Sequence, residues 1–295
     1  MSLNRPIWKL RDWIDVEKLE WDFLSSNPNA IQLLKENPEK IHWGNLSLNP
    51  NGIELLEENI DNIDWDYISY NKNAIKLLEK YPEKINWENI AFNKNAIKII
   101  ENNLEKINWD FLSRNENAIH LLEANLEKIN WEFLSLNKNA IQLLKDNLDK
   151  INWIAFLSLN KNAIQLLKDN LDKINWNFLS LNKNAIKLLN ENPENINYNS
   201  LSLNPNAIKL LEENLENIEW FNLSINSYAI DILKNNQDKI FWDNLSYNPA
   251  IFELDYDKMR ENNQEMYEDL IKEVMKPSRV FKNPEYDYLE ELFGD

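Results

Sequence analysis

The chain contains no cysteine, three glycines and two histidines among its 295 residues. Without cysteine there is no disulfide, no thiolate metal site and no cysteine nucleophile. The glycines, Gly44, Gly52 and Gly294, are too few for a glycine-rich phosphate loop. His42 and His120 stand at different positions of the repeat described below, which argues against a histidine metal or acid–base site. The sequence therefore predicts no catalytic, cofactor-binding or metal-binding residues.

Positive charge is also scarce, since 32 basic residues face 49 acidic ones and give a net charge of −17. That balance disfavours non-specific binding to nucleic acid or to an anionic membrane. No run approaches the roughly 18 apolar residues of a membrane span, and the first residues have no uninterrupted apolar core of the kind a signal peptide needs. We expect an intracellular protein that is neither secreted nor inserted in a membrane.

What the chain has in abundance is a repeat of 22 residues, whose register the tryptophans give. Successive units begin at Trp21, Trp43, Trp65, Trp87, Trp109, Trp131, Trp153, Trp176, Tyr198, Trp220 and Trp242. Ten units are complete, and the eleventh loses the pattern soon after Trp242. One extra residue lies near Ile154, and the sequence leaves its effect on the array open.

Each unit reads as a pair of short helices. In "LNPNAIKLLEEN" the asparagine Asn204 suits the N-cap of a longer helix of about nine residues, followed by Pro205 in its first turn. A shorter helix of about six residues starts around each tryptophan. Helices this short are marginal alone and need stacked neighbours. The predicted fold is an all-α solenoid built from 22-residue helix pairs and capped at both ends, with its handedness open.

The repeated letters have mainly structural explanations. Trp109 and Leu112 share a helix face, and the Ala, Ile and Leu positions follow a helical spacing, so all are predicted to be core. The asparagine columns, for example Asn115 and Asn117, and the serine column of Ser113 are predicted to cap helices and to hydrogen-bond adjacent turns.

The repeat pattern divides the chain into three parts. Residues 1–20 are predicted to form an N-terminal cap, residues 21–248 the helical array, and residues 249–295 a C-terminal capping helix with an acidic tail. Met259 to Met275 is typical of one longer helix. The closing "PEYDYLEELFGD" is interpreted either as a docked or frayed end or as a partner-binding tail.

The segments "WKLRDWIDVEKLEWDFLSSNPNAIQLLKENPEKIHW", "LSLNPNAIKLLEENLENI" and "LSYNPAIFELDY" resemble a family of repeat proteins encoded by giant DNA viruses related to mimivirus. The resemblance covers nearly the whole chain. It implies a viral protein acting in host cytoplasm or a virion, and it carries no catalytic or binding residues. The extra residue in "INWIAFLSLN" departs from the family pattern.

The variable positions give the only candidate site. Lysines spaced four apart on the longer helix are predicted to form a mildly basic ridge on an acidic protein. The ridge comprises Lys72, Lys76, Lys94, Lys98, Lys138, Lys161, Lys183 and Lys187. It is either a solubilising surface or a site for an anionic partner.

Three functions remain open from the sequence. The first is a non-catalytic scaffold with a protein partner, the second a self-associating structural component, and the third an anionic-partner or nucleic-acid binder using the ridge. Nucleic acid is disfavoured because the repeated positions lack stacking and base-reading side chains. The columns of carboxylates, such as Glu105 and Glu127, read as a solvated face, so no enzyme is predicted. The oligomeric state stays open.

Overall fold

The computed structural model describes residues 6–154 and 156–274. Contacts divide the chain into two compact units, residues 10–252 and residues 1–9 with 253–295. The larger unit consists of short helices in a regular repeat. This confirms the prediction of an all-α repeat fold.

A typical repeat holds two helices and a turn. The first repeat, for example, contains a first helix Trp21–Ser26, a second helix Ile31–Glu36 and a 3-10 turn Pro38–Lys40. The second helix is shorter than predicted because it begins at the isoleucine rather than at the asparagine before it. Burial between neighbouring repeats must therefore supply the stability that helices of this length lack.

The first helices are Trp21–Ser26, Trp43–Leu48, Trp65–Tyr70, Trp109–Ser113, Trp131–Leu134, Trp176–Leu181, Tyr198–Ser202, Trp220–Ile225 and Trp242–Ser246, with 3-10 turns Asn89–Phe92 and Leu157–Leu159 in the remaining two repeats. The second helices are Ile31–Glu36, Ile53–Glu57, Ile75–Lys80, Ile97–Glu101, Ile119–Glu123, Ile141–Lys145, Ile164–Lys168, Ile186–Asn190, Ile208–Glu212 and Ile230–Lys234. The 3-10 turns after them are Pro38–Lys40, Ile60–Asn62, Pro82–Lys84, Leu126–Lys128, Leu148–Lys150, Leu171–Lys173, Pro193–Asn195, Leu215–Asn217 and Gln237–Lys239.

The core is formed by leucines and alanines, and the tryptophans lie at its edge. Leu112, Ala118 and Leu122 are completely buried. Trp109 is only half-buried, and the Lys128 ammonium lies over its ring at 4.5 Å from the centroid. The prediction that the tryptophans are core residues is therefore wrong, since the ten that open repeats are only half-buried. In seven of these ten a lysine ammonium lies over the ring.

The asparagines do more than the sequence predicted. Asn115 precedes the second helix Ile119–Glu123 in a turn, where its Oδ1 accepts the N–H of Asn117. Its Nδ2 donates to the carbonyls of Ala91 and Asn93 in the preceding repeat, at 2.8 and 3.3 Å. The prediction of a helix N-cap at Asn115 and Asn204 is therefore wrong, because the amide closes a turn and links two repeats.

The same buried amide recurs in all eleven repeats, and each donates twice to the repeat before it. We call this set the asparagine ladder. Its members are Asn27, Asn49, Asn71, Asn93, Asn115, Asn137, Asn160, Asn182, Asn204, Asn226 and Asn248.

The ladder has no end, because its first member bonds to the last repeat. Asn27 Nδ2 donates to Ser246 O and Asn248 O at 3.0 and 3.1 Å. The first helices Trp21–Ser26 and Trp242–Ser246 also pack against each other. Residues 10–252 thus form a closed ring of eleven repeats.

Both ends of the ring's chain build its eleventh repeat. In space, the turn Val16–Lys18 occupies the place beside Trp242 that the turn Pro38–Lys40 occupies beside Trp21. The Lys18 ammonium lies 4.9 Å from the Trp242 ring centroid. The N–H of Glu20 donates to Ser246 Oγ at 2.9 Å. The prediction of separate caps in residues 1–20 and 249–295 is wrong for residues 10–20 and 249–252, since they complete a repeat.

The smaller unit contains a strand pair and one long helix. β1 (Trp8–Leu10) and β2 (Phe252–Leu254), whose inner ends belong to the ring, form a two-stranded sheet, and the N–H of Asp255 donates to Ile7 O. The helix spans Tyr256–Val274, close to the predicted range. Met275 and the acidic segment 284–295 lie outside the described residues.

The extra residue disturbs one repeat without breaking the ladder. Ile154 is 77% exposed, and the first helix of its repeat is reduced to the turn Leu157–Leu159. Asn160 still donates to Ser135 O and Asn137 O at 2.9 and 3.0 Å. The insertion is therefore accommodated before the ladder residue is reached.

We expect Asn27→Ala and Asn115→Ala to lower the free energy of unfolding by similar amounts, about 1–3 kcal/mol each. Each substitution leaves buried carbonyls without a donor. Asn→Asp at either site should cost more, because it places a carboxylate against those carbonyls. Urea unfolding checks this, and a much smaller loss for Asn27→Ala than for Asn115→Ala would show an open ring.

Deleting Ile154 should restore the 22-residue spacing and raise the free energy of unfolding by about 1 kcal/mol. The regained helix would let the N–H of Asn152 reach Ser135 Oγ, as the N–H of Asn130 reaches Ser113 Oγ at 3.0 Å. Deleting Asp110 in a regular repeat is the control and should destabilise. A destabilising deletion of Ile154 would refute this account.

Candidate binding surface on the inner side of the ring

The inner side of the ring can be located from two observations. The rings of Phe111, Phe133 and Phe156 in successive repeats are 6.1 and 6.3 Å apart, so the first helices stand close together. A cavity of about 310 Å³ is lined by residues of five successive repeats, from Glu116 to Pro205. On a flat or convex face five repeats would cover a far longer stretch, so these side chains converge on the concave side.

Two columns of side chains line this concave side. One is the residue that follows the serine, here named the apolar column. Its members in the third to eighth repeats are Tyr70, Phe92, Arg114, Leu136, Leu159 and Leu181. The other column is the residue between the two asparagines. In the same repeats this position holds Lys72, Lys94, Glu116, Lys138, Lys161 and Lys183. We name its five lysines the lysine arc.

The other five repeats carry no charge at the position of the lysine arc. They hold Pro28, Pro50, Pro205, Ser227 and Pro249. One half of the inner column is therefore basic and the other half neutral, in a chain whose net charge is −17. A local positive field inside an acidic ring follows from this arrangement.

The contact that recurs at this position in the repeats uses its backbone carbonyl and not its side chain. The Nδ2 of Asn95 donates to Lys72 O at 2.9 Å, and that of Asn117 donates to Lys94 O at 2.8 Å. The Nδ2 of Asn73 makes the same bond to Pro50 O at 2.7 Å. Because proline and lysine serve the bond equally, the fold does not require the lysines.

A second cavity of about 400 Å³ adjoins the first and shares Glu116 with it. It is lined by Tyr70, Phe92, Lys94 and Arg114. The Arg114 guanidinium lies over the Phe92 ring, 5.8 Å from its centroid. Burial raises the pKa of the Tyr70 hydroxyl above its ordinary value. A tyrosine hydroxyl is neutral near neutral pH with or without this shift, and it can donate a hydrogen bond there.

One lysine of the arc is already occupied by a carboxylate. Lys138 pairs with Glu116, and their side chains are 28% and 30% exposed. Lys94, Lys161 and Lys183 have no ion pair with any residue that the structure describes. The arc therefore offers free ammonium groups beside one internal example of how a carboxylate is held.

The eight predicted lysines do not form one ridge. Lys72 precedes the second helix, which starts at Ile75, so it does not share a helix face with Lys76. Lys98 lines a different cavity, beside Trp87. We name Lys76, Lys98 and Lys187 the outer lysines. The four-residue pairing assumed a helix starting at the asparagine, and it fails because the helix starts later.

Sequence reasoning also missed the apolar column and the place of Arg114. The available signal was the position that lies between the serine and the first asparagine of each repeat. This position varies from repeat to repeat, while the residues on either side of it recur. Without the closed curvature, nothing in that pattern tells which side of the array it lines.

The chain matches no protein-family model, no curated protein and no solved structure. Among the described residues there is no cluster of three or more histidine, aspartate or glutamate side chains placed to hold a metal ion. In that same part of the chain no helix combines the length and apolarity needed to cross a membrane.

Amine labelling should distinguish the lysines of the arc. We expect Lys138 to react two- to fivefold more slowly than Lys94 and Lys183, since a partly exposed ion pair is worth roughly 0.5–1 kcal/mol. Glu116→Gln should remove the difference. Mass spectrometry after a short pulse of an amine-reactive ester measures it, and equal rates in the unsubstituted protein would contradict the pairing.

Proposed function

We propose that this protein is a non-catalytic interaction scaffold that holds a protein partner on the inner side of its ring. The observation that carries the proposal is the lysine arc, because five lysines stand at six successive repeats where the recurring backbone bond is made equally well by proline. A concave surface with cavities in the size range of ligand sites supports it.

The proposal assigns no catalytic role. Near-identical repeats give their carboxylates near-identical surroundings, whereas an acid–base pair needs unequal ones. The resemblance to giant-virus repeat proteins would place the scaffold inside an infected cell or a virion, and this remains a proposal.

Self-association is the second candidate, and one observation favours it. Leu126, Leu148 and Leu171 occupy the same place in successive repeats and are 43%, 47% and 47% exposed. A row of exposed leucines is a surface that two copies could bury together. Sedimentation velocity over a range of concentrations tests this candidate separately from the first.

A photo-crosslinking residue tests the main proposal. Benzoylphenylalanine replaces Leu159 on the inner side in one variant and Gln165 on the exposed second helix in the other. Both sites lie in one repeat, so the comparison holds the local fold constant. In cells that naturally contain the protein, we expect Leu159 to crosslink a distinct protein and Gln165 to crosslink none.

Crosslinks from Gln165 alone, or from neither site, would contradict binding on the inner side. Crosslinks only to a second copy of the chain would favour self-association. Thermal melting of both variants checks that each ring is folded.

A further inference from the structure

We infer that the lysine arc binds a short acidic peptide segment that also carries apolar side chains. This inference rests on the proposed function and names the chemistry of the partner. It follows from what the arc offers, from the residues beside it and from their spacing.

The lysine arc is suited to binding carboxylates. Lys94, Lys161 and Lys183 line the two cavities, and none has an ion pair within the described part of the chain. Glu116 already occupies Lys138 on this same surface. That internal pair shows a carboxylate held on the inner side, and a peptide carboxylate would make the same contact at the free lysines.

The apolar column requires apolar side chains on the ligand. Leu159 and Lys161 belong to one repeat, Leu181 and Lys183 to the next, and all four line one cavity. The leucines are half-buried, so a purely ionic ligand would leave their exposed surface in water. A segment that mixes acidic and apolar residues satisfies both columns.

The spacing of the repeats fits an extended chain. Residues on one side of an extended peptide recur about every 6.6 Å, and the phenylalanine rings of neighbouring repeats here are 5.8–6.3 Å apart. Every second residue of the ligand can therefore face a new repeat, and Lys161 and Lys183 stand in two neighbouring repeats. The curvature of the ring limits the match to a few repeats, so the segment is about six to eight residues long.

Nucleic acid fits this surface less well. Binding of single strands uses aromatic rings on which bases stack. On the inner side Tyr70 already stacks on Phe92, and Arg114 lies over Phe92. The sixth to eighth repeats present Leu136, Leu159 and Leu181 instead. The net charge of −17 also repels a phosphate backbone over most of the protein. A polyanion remains the alternative that the experiment must separate.

Fluorescence anisotropy with labelled probes and the whole protein tests the inference. The main probe is a synthetic peptide of about eight residues that alternates glutamate and leucine. Two matched peptides replace every glutamate by glutamine or every leucine by serine, and oligothymidine serves as the polyanion. We expect the first peptide to bind, and each matched peptide to bind about tenfold more weakly.

Charge-matched variants locate the site. Lys94→Glu with Lys161→Glu and Lys183→Glu should weaken binding of the main peptide about tenfold, and more at low salt. The outer lysines changed together, Lys76→Glu, Lys98→Glu and Lys187→Glu, alter the net charge equally and should change affinity less than about twofold. Glu116→Gln frees Lys138 and should tighten binding about threefold, a gain that misfolding would not produce.

Three results would overturn the inference. These are equal weakening by the arc variant and the outer variant, tighter binding of oligothymidine than of the peptide, and no peptide binding at all. If Leu159 still crosslinks a partner, only the ligand chemistry is wrong. If crosslinking fails as well, the proposed function falls with it.

Discussion

The buried asparagine amide is the interaction on which the rest of the structure depends. Each one accepts the backbone N–H two residues ahead and donates to two carbonyls of the preceding repeat, as Asn49 does toward Asn51, Ser25 and Asn27. The amide supplies two donors and an acceptor at one length, which aspartate, serine and glutamine cannot reproduce. Since unpaired buried carbonyls are costly, every repeat needs a neighbour on both sides.

Closure follows from that need. In an open array the last repeat would keep its carbonyls without donors, and a separate cap would have to cover them. Here Asn27 donates hydrogen bonds to the carbonyls of Ser246 and Asn248. The first repeat therefore bonds to the last as every other repeat bonds to the one before it. The helices can then remain only four to six residues long, because interfaces rather than helix length stabilise them.

The sequence alone was sufficient to predict the repeat and its helical units, because periodic apolar residues determine both. Ring closure depends on a small rotation per repeat, which periodicity does not encode. One signal was nevertheless present, since "VEKLEW" at residues 16–21 matches "PEKIHW" at residues 38–43 and supplies the part that the eleventh repeat lacks. The candidate site was only half predictable. The sequence shows which lysines recur, but placing the helix start at the asparagine mixed two surfaces.

In a repeat protein, the contacts that folding needs can be distinguished from the surface side chains that are free to vary. At the position of the lysine arc the fold needs only a carbonyl, which Pro50 and Lys72 provide equally well. Side chains there can change in one repeat without affecting the next interface. The backbone bond therefore does not require the charge that is confined to six successive repeats of eleven. Solubility does not explain it either, since added lysines bring an acidic protein closer to zero net charge. The proposed function would explain it, as selection by a partner whose charge is opposite to that of the arc.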